Sequence, residues 1–507
     1  MEDERLSALD TAFLCLESPQ APLHLGALAV FRPDRPIPPT RLRSLLTDRI
    51  QRLPSLRQRV QAAWMPPGSA VWAEDDLFDP DRHLFLHELD TGTRRTGSSR
   101  RRLEADQSAL ASLAGQLMAE QLDLRHPLWQ LHLVTGLVAG RFAILVKLHH
   151  ALADGLRAVE FGVGLLDGFA DQRPESPEPR TGGTDRFRPS LMGAARTAAA
   201  LATRPDRALA GLARGVASLP GTVRQTADAL GIASAVLGSA RLGALPIPMR
   251  SRSPINTSLP SPMAALPGPA TATPARADRR LALLHLDAND VRQVRKRHGG
   301  TDNDVLLAVI SGALREWLVK QGHRAERVNL RALIPVSRRS RGDHANRGNV
   351  LSGYLCDLPV GEEDPLTRLR EIRTSMDRNK AAGFTRGPGA FAVLANQLPA
   401  AVHRMASPLV RHGAGLLFDT MVTNVPLPSR PMSLAGARLE EVYPIAPLAP
   451  GQPLGIALSA YQGRVHVGLH ADRQALPDLH HLADAVPAAL AGLAAGLTEP
   501  ASTDSAA

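Results

Sequence analysis

The stretch Arg141-Phe142-Ala143-Ile144-Leu145-Val146-Lys147-Leu148-His149-His150-Ala151-Leu152-Ala153-Asp154-Gly155 decides how this chain is read. From Arg141 to Leu148 it is an apolar run of strand length, as expected of a strand covered on both faces. His149 and His150 stand at its exit, where rigid backbone can aim an imidazole at a cleft. Asp154, four residues beyond His150, begins a helical stretch reaching about Leu166, a position where the helix dipole favours an acidic side chain. Gly155 is expected to let the backbone turn tightly there. A plainer reading is a core histidine pair ahead of an ordinary Asp N-cap, and a bare His-x-x-x-Asp-Gly would not displace it. The longer His-His-x-x-x-Asp-Gly placed after a strand is more specific. His480-His481-Leu482-Ala483-Asp484 shows the contrast. There the spacing is one short, no Gly follows, and the setting is an Ala-rich helix, so that pair is read as structural.

Outward from this stretch, strands and helices alternate. Leu25 to Phe31 reads as a strand, Pro39 to Gln51 as an amphipathic helix and Glu104 to Leu122 as a helix, the last preceded by a Gly/Ser/Arg loop from Thr91 to Arg102. His83 to Leu89 alternates with period two and is therefore a strand. On a helix His83 and His87 would share a face as metal ligands; on a strand they do so with no further ligand nearby, and no metal site is expected. A Pro/Gly/Glu/Arg-rich break spans about Gln172 to Arg188, and a second, Pro-rich one runs from Pro246 to Pro274. Alternation then resumes: strands at Leu281 to Leu286, Val328 to Pro335 and Val350 to Leu358, a helix at Asp302 to Lys320, and a hairpin of Gly455 to Ala460 and Arg464 to Leu469. The expected division is 1–180, a basic helical connector over 181–275, 276–498, and a disordered tail over 499–507.

The 507 residues carry 59 basic and 49 acidic side chains, a net charge of +10. Most of that excess lies between Arg186 and Arg252, where ten Arg face only Asp206 and Asp228. Leu209, Leu212, Val216 and Leu219 share one helical face there, with Arg207 and Arg214 opposite. Such a stretch suits an anionic membrane or droplet surface, although a solvated Arg-rich spacer helix explains it equally well. All but four of the basic residues are Arg, which together with 41 Gly and 41 Pro suggests a GC-rich coding bias and weakens any functional reading of Arg content. Cys15 and Cys356 are too few for a disulfide framework or a Cys-ligated zinc site. The acidic start lacks a signal-peptide pattern, and no apolar stretch approaches a membrane span. The expectation is a cytoplasmic protein in peripheral contact with a membrane or lipid droplet.

The motif from His149 to Gly155 resembles the active-site signature of the coenzyme A-dependent acyltransferase superfamily, which includes chloramphenicol acetyltransferase and peptide-synthetase condensation domains. Leu6-Ser7-Ala8-Leu9-Asp10, Pro22-Leu23-His24-Leu25-Gly26 and Arg125-His126-Pro127-Leu128-Trp129 are similar to stretches of the bacterial wax ester synthase/acyl-CoA:diacylglycerol acyltransferases. So are Asn303-Asp304 with the apolar run to Val309, Arg331 to Ser337, Gly348-Asn349 and Thr423-Asn424-Val425-Pro426. The resemblance runs from about residue 6 to residue 495. Two departures are Gln130, where the family often has Glu, and Leu427, where Gly is common; both bear on local loop geometry.

The resemblance implies an α/β (α+β) fold of two chloramphenicol-acetyltransferase-like mixed-sheet domains, with the active site in a channel between them. It implies transfer of a long acyl chain from acyl-CoA to diacylglycerol or a long-chain alcohol, with no resident cofactor or metal. His150 would be the general base, His149 would shape the site and Asp154 would fix the loop. Asn303 would support the site or its oxyanion, unless it is only the N-cap of its helix. Pro127, Leu128 and Trp129 would position the catalytic strand, Trp129 also having a plain core reading, and Gly155 and Asp304 would serve as structural neighbours.

Competing signals are weak. There is no Gly-x-Ser-x-Gly elbow and no Walker-type loop. Gly162-Val163-Gly164-Leu165-Leu166-Asp167-Gly168 misses the dinucleotide spacing by one and follows a helix. The basic connector lacks interleaved aromatics, so nucleic acid is not expected. The remaining rivals are a condensation-type acyltransferase and a non-catalytic lipid-droplet binding protein that keeps the fold.

Overall fold

The computed structural model describes residues 4–63, 69–89, 98–168, 277–328, 330–337, 351–382 and 418–495. The expected connector and tail, and Gly348-Asn349, lie outside them. In the first half the order is β1 (Glu4–Arg5), α1 (Ala8–Leu16), β2 (His24–Arg32), α2 (Pro39–Gln51), β3 (Gln58–Ala62), β4 (Ala70–Glu74), β5 (Leu84–Glu88), α3 (Ser99–Ala119), β6 (Trp129–Thr135), β7 (Phe142–His149) and α4 (Gly155–Gly164). The second half follows with β8 (Arg279–Asp287), α5 (Ala288–His298), α6 (Asp302–Lys320), β9 (Leu330–Ser337), β10 (Leu351–Leu358) and α7 (Pro365–Ala382). It closes with β11 (Thr420–Asn424), β12 (Ser433–Leu434), β13 (Ala437–Ile445), β14 (Leu454–Tyr461), β15 (Arg464–Asp472) and α8 (Leu479–Ala495).

Local sequence explains the elements that matter most. Proline at the first turn starts α2, and Leu42, Leu46 and Ile50, four residues apart, form its buried face. Strand β7 lacks alternation because both of its faces are covered; of its eight residues only Val146 is even partly exposed. Helix α6 is apolar nearly all round because it lies in the middle of the second core, against α5, α7 and α8. His83 is not in a strand: it follows a single 3-10 turn, Pro80–Arg82, and precedes β5.

There are two mixed six-stranded sheets, ordered β12-β13-β2-β7-β6-β5 and β10-β9-β11-β14-β15-β8, plus a small β1-β4-β3 sheet. The halves are not closed on themselves. Strand β13 belongs to the second half in sequence but runs antiparallel to β2 in the first sheet, with Tyr443 opposite Leu28 and Ile445 opposite Gly26. Between the sheets a separate apolar cluster joins Leu28, Val30, Leu110, Ala114 and Leu145 to Leu281, Leu283, Tyr443 and Ile445. Asp167, at the end of the apparent glycine motif, ties α4 to the β12–β13 hairpin. Its carboxylate accepts from Ser433 Oγ (2.8 Å) and the amides of Ala435 and Gly436, and pairs with Arg49 at 2.6 Å.

Close approach at the seam is set by glycine. A Cβ at Gly468 on β15 would overlap the Pro444 carbonyl oxygen on β13, where backbone rather than a flexible side chain would have to yield. Gly468→Ala should therefore destabilise by about 3 kcal/mol, the upper part of the overpacking range, read as a lower denaturation midpoint.

Candidate active site

Helix α1 begins with a capping box: Ser7 Oγ accepts the Asp10 amide (3.0 Å) and Asp10 Oδ2 accepts the Ser7 amide (3.1 Å). It carries Phe13 and leads into Glu17. Strand β2 then pairs antiparallel with β7 so that His24 stands opposite His149. Glu17 lies between the two rings, with Oε1 3.4 Å from His24 Nε2 and Oε2 3.4 Å from His149 Nε2. All three side chains are buried. Burial alone would raise the Glu17 pKa, but the contacts from His149 and His24 outweigh it and hold the carboxyl at about 2. Burial pushes His24 down to about 4. At neutral pH the cluster is a carboxylate facing a neutral His24.

The His149–His150 backbone is clamped from both sides. The His149 amide donates to the Leu128 carbonyl (3.0 Å), and the His150 amide donates to the Leu23 carbonyl (2.9 Å). The Leu152 amide closes the turn onto the His149 carbonyl at 2.9 Å. His149 Nδ1 accepts the Ala151 amide at 3.0 Å. The His150 ring is partly buried and stacks on Phe13, with centroids 4.0 Å apart and planes at 19°. Burial lowers its pKa to about 4, opposed by a hydrogen bond to its own backbone and by the Asp154 carboxylate. Its imidazole is therefore neutral, the form a proton acceptor needs.

Pro127, Leu128 and Trp129 are buried and joined to this strand. Leu128 supplies the carbonyl for His149, and Trp129 lies opposite Leu148 in register. Trp129 Nε1 donates to the Leu56 carbonyl at 2.7 Å. His83 stacks on the indole (4.5 Å) and its Nδ1 lies 2.9 Å from the Trp129 carbonyl oxygen. Asp154 is the N-cap of α4, its Oδ1 accepting the Arg157 amide at 2.9 Å. Gly155 departs from expectation. It is not among the residues with positive φ, and a methyl group there would meet open space. The local backbone thus does not require glycine, and no described neighbour excludes a side chain there.

Asn303 is not brought to this cluster by any described contact. It occupies the second position of α6, partly buried, and it is not the cap: Thr301 is, with Asp304 completing the box through Oδ2 to the Thr301 amide (2.8 Å). Gln130 lies in β6 rather than a loop, its Oε1 3.3 Å from the buried Lys147 Nζ, which also donates to the Leu117 and Glu120 carbonyls. Burial lowers the Lys147 pKa to about 8. Leu427 packs against the first core. His480 and His481 lie on the exposed face of α8. The residue that the sequence reading missed is Glu17. Its only signal is a carboxylate closing a largely apolar helix, between the Leu6–Asp10 and Pro22–Gly26 stretches.

Residues 6–306 match the family model described as the wax ester synthase/diacylglycerol acyltransferase catalytic domain, and residues 347–494 match the WS/DGAT C-terminal domain. The chain belongs to the wax ester synthase/diacylglycerol acyltransferase family. A probable diacylglycerol O-acyltransferase of Mycobacterium tuberculosis strain H37Rv is 31% identical over 509 residues, spanning 97% of this chain and 96% of the relative. In fold, the chain is similar to the wax ester synthase/diacylglycerol acyltransferase from Marinobacter aquaeolei VT8 (TM-score 0.63, 23% identity, 97% and 99% of the two chains). It also resembles the first condensation domain of the calcium-dependent antibiotic synthetase (TM-score 0.51, 19% identity, 99% of each chain). The two-sheet α/β architecture expected from the resemblance is the one observed.

The capping geometry of this wax ester synthase/diacylglycerol acyltransferase family member separates two glycine- and aspartate-dependent effects. Asp154→Ala should cost about 1–2 kcal/mol by loss of an N-cap, measured by thermal denaturation. Gly155→Ala should leave the melting temperature within about 2 °C, since the backbone does not need glycine there. Its turnover should fall if substrate passes through the space beside α4.

Proposed function

We propose that the chain transfers a long acyl group from acyl-CoA to the hydroxyl of diacylglycerol, making triacylglycerol, with long-chain alcohols as further acceptors that would give wax esters. The observation that carries the reading is the neutral His150, held at the exit of β7 by backbone clamps on both sides. An alcohol is a weak nucleophile near neutral pH, and a positioned imidazole can take its proton as it attacks. The nitrogen distal to the backbone, Nε2, is the one assigned to that proton. The acceptor oxygen adds to the thioester carbonyl, and the C–S bond then breaks. The CoA thiolate leaves and takes the proton back from His150 as CoA thiol, so no acyl group is attached to the protein. His149 and Asp154 hold the turn. Asn303 is retained as a candidate polar support from the second half.

The family name and the relative named as a diacylglycerol O-acyltransferase support diacylglycerol as the acceptor. Among the described residues no helix is long and apolar enough to cross a membrane. Such an acceptor is nearly insoluble, so we place attachment to a membrane or droplet surface in the Arg-rich connector. Each basic residue near an anionic surface contributes about 1 kcal/mol.

His150→Ala should lose about 10²–10⁴-fold in turnover while remaining folded, with labelled palmitoyl-CoA as donor and parallel diacylglycerol and hexadecanol acceptors. In the unaltered enzyme, protonation of a base whose pKa is about 4 removes activity only as pH falls through that value. Turnover should therefore show no loss between pH 7 and 6, where an ordinary histidine would already titrate. Near-normal turnover of a folded His150→Ala protein would refute the assignment. Changing Arg204, Arg207, Arg214 and Arg224 to Gln should weaken sedimentation with anionic vesicles at low salt. Activity on a short soluble alcohol should survive; unchanged vesicle binding at every salt concentration would make the connector a spacer.

A further inference from the structure

Glu17 sits in the interior with an imidazole facing each carboxylate oxygen, at 3.4 Å from His24 and 3.4 Å from His149. The three residues come from different elements: Glu17 closes α1, His24 opens β2, and His149 ends β7. A buried carboxylate is costly unless donors meet it, and the ring nitrogens that face its two oxygens are His24 Nε2 and His149 Nε2, at ion-pair distance. The other nitrogen of His149 settles which proton it carries. Nδ1 accepts the Ala151 amide at 3.0 Å, and an accepting nitrogen holds no proton, so the neutral ring carries its proton on Nε2, facing Glu17. Ala151 follows His150 directly, so the His149 ring braces the turn from which His150 projects. The same helix that ends in Glu17 places Phe13 against the His150 ring.

We propose that Glu17 is a positioning residue for acyl transfer: it fixes the Nε2–H tautomer of His149, keeps Nδ1 available to the Ala151 amide, and thereby holds the His150 turn in its working geometry. This rests on His150 being the base. Glu17→Gln removes the charge and leaves one acceptor oxygen between the two Nε2 atoms, so the His149 Nε2–H loses its fixed partner or shares it with His24. Small misplacement of a reacting group costs up to about 10²-fold. Glu17→Gln is accordingly expected to lower kcat by about 10–100-fold while KM for acyl-CoA and acceptor stays unchanged, the pattern of a lost transition-state alignment.

The test is a double-mutant cycle with His149→Asn, whose side-chain oxygen takes the place of Nδ1 and accepts the Ala151 amide without help from a tautomer. If Glu17 acts through His149, Glu17→Gln costs nothing further in the His149→Asn background. An equal loss in both backgrounds overturns the proposal. His150→Ala is run in the same assay. If it retains turnover, the base assignment itself fails. If it is inactive while Glu17→Gln keeps full kcat, only the role of Glu17 fails. Should Glu17→Gln not fold, the imidazole ¹⁵N spectrum of the unaltered protein at pH 7 decides. His149 must be protonated on Nε2 and bare on Nδ1, and a proton on Nδ1 overturns the inference.

Discussion

The pairing of β2 with β7 is the constraint on which the rest of the site depends. It puts His24 beside His149 and delivers the Leu23 carbonyl to the His150 amide, while β6 on the other side of β7 brings the Leu128 carbonyl to the His149 amide. A one-residue slip would turn every side chain on β7 to the other face, and the two histidines would exchange places. The register is fixed because β7 is a central strand, buried on both faces between β2 and β6. A group at the end of such a strand inherits the rigidity of the core, which a loop residue would not.

The seam between the halves extends that rigidity. Interfaces between domains in one chain are usually modest and permit relative motion. Here the second half gives β13 to the first sheet, and β8 packs on α3 so closely that a Cβ at Gly115 would lie 2.9 Å from the Arg279 carbonyl oxygen. Arg279 also reaches back to the Gln20 carbonyl, between Glu17 and His24, while pairing with Asp472 at 3.0 Å. Separating the halves would therefore break sheet hydrogen bonds and disturb the loop between Glu17 and His24.

Patterning revealed much of this fold. The bounds of α2 and α6 follow from periodicity, and β7 from an apolar run that only a doubly covered strand can use. What patterning could not reveal is long-range exchange. Nothing local in Ala437–Ile445 says that it pairs with β2 rather than with its own half, because an alternating strand suits any sheet edge of the right polarity. Gly155 departs from its reading for a related reason: a glycine suggests a tight turn, and only the dihedral shows that the backbone here does not need one. Glu17 was invisible because its meaning lies in two histidines, one seven residues away and the other on a distant strand. Asn303 was legible as part of a motif, and the structure places it in the first turn of α6, between the Thr301 cap and Asp304.

On the proposed assignment of His150 as the base, the electrostatics of the cluster set positioning above basicity. Burial holds His150 near 4 and His24 near 4, so both stay neutral with a wide margin. The best general base has a pKa close to the working pH, and a site seeking basicity would expose His150 or bring its carboxylates closer. Instead the carboxylates of the cluster are otherwise engaged: Asp154 Oδ1 caps α4, and Glu17 faces His149 and His24. Such an arrangement suits an electrophile that is already activated. A thioester carbonyl needs little help in expelling its thiolate, so a weak base suffices provided that the acceptor oxygen, the carbonyl carbon and the imidazole are aligned when they meet. Alignment is worth several kcal/mol by itself, up to about 7–11 in well-oriented systems. That is why so many interactions here converge on the His149–His150 backbone rather than on the charge of the ring.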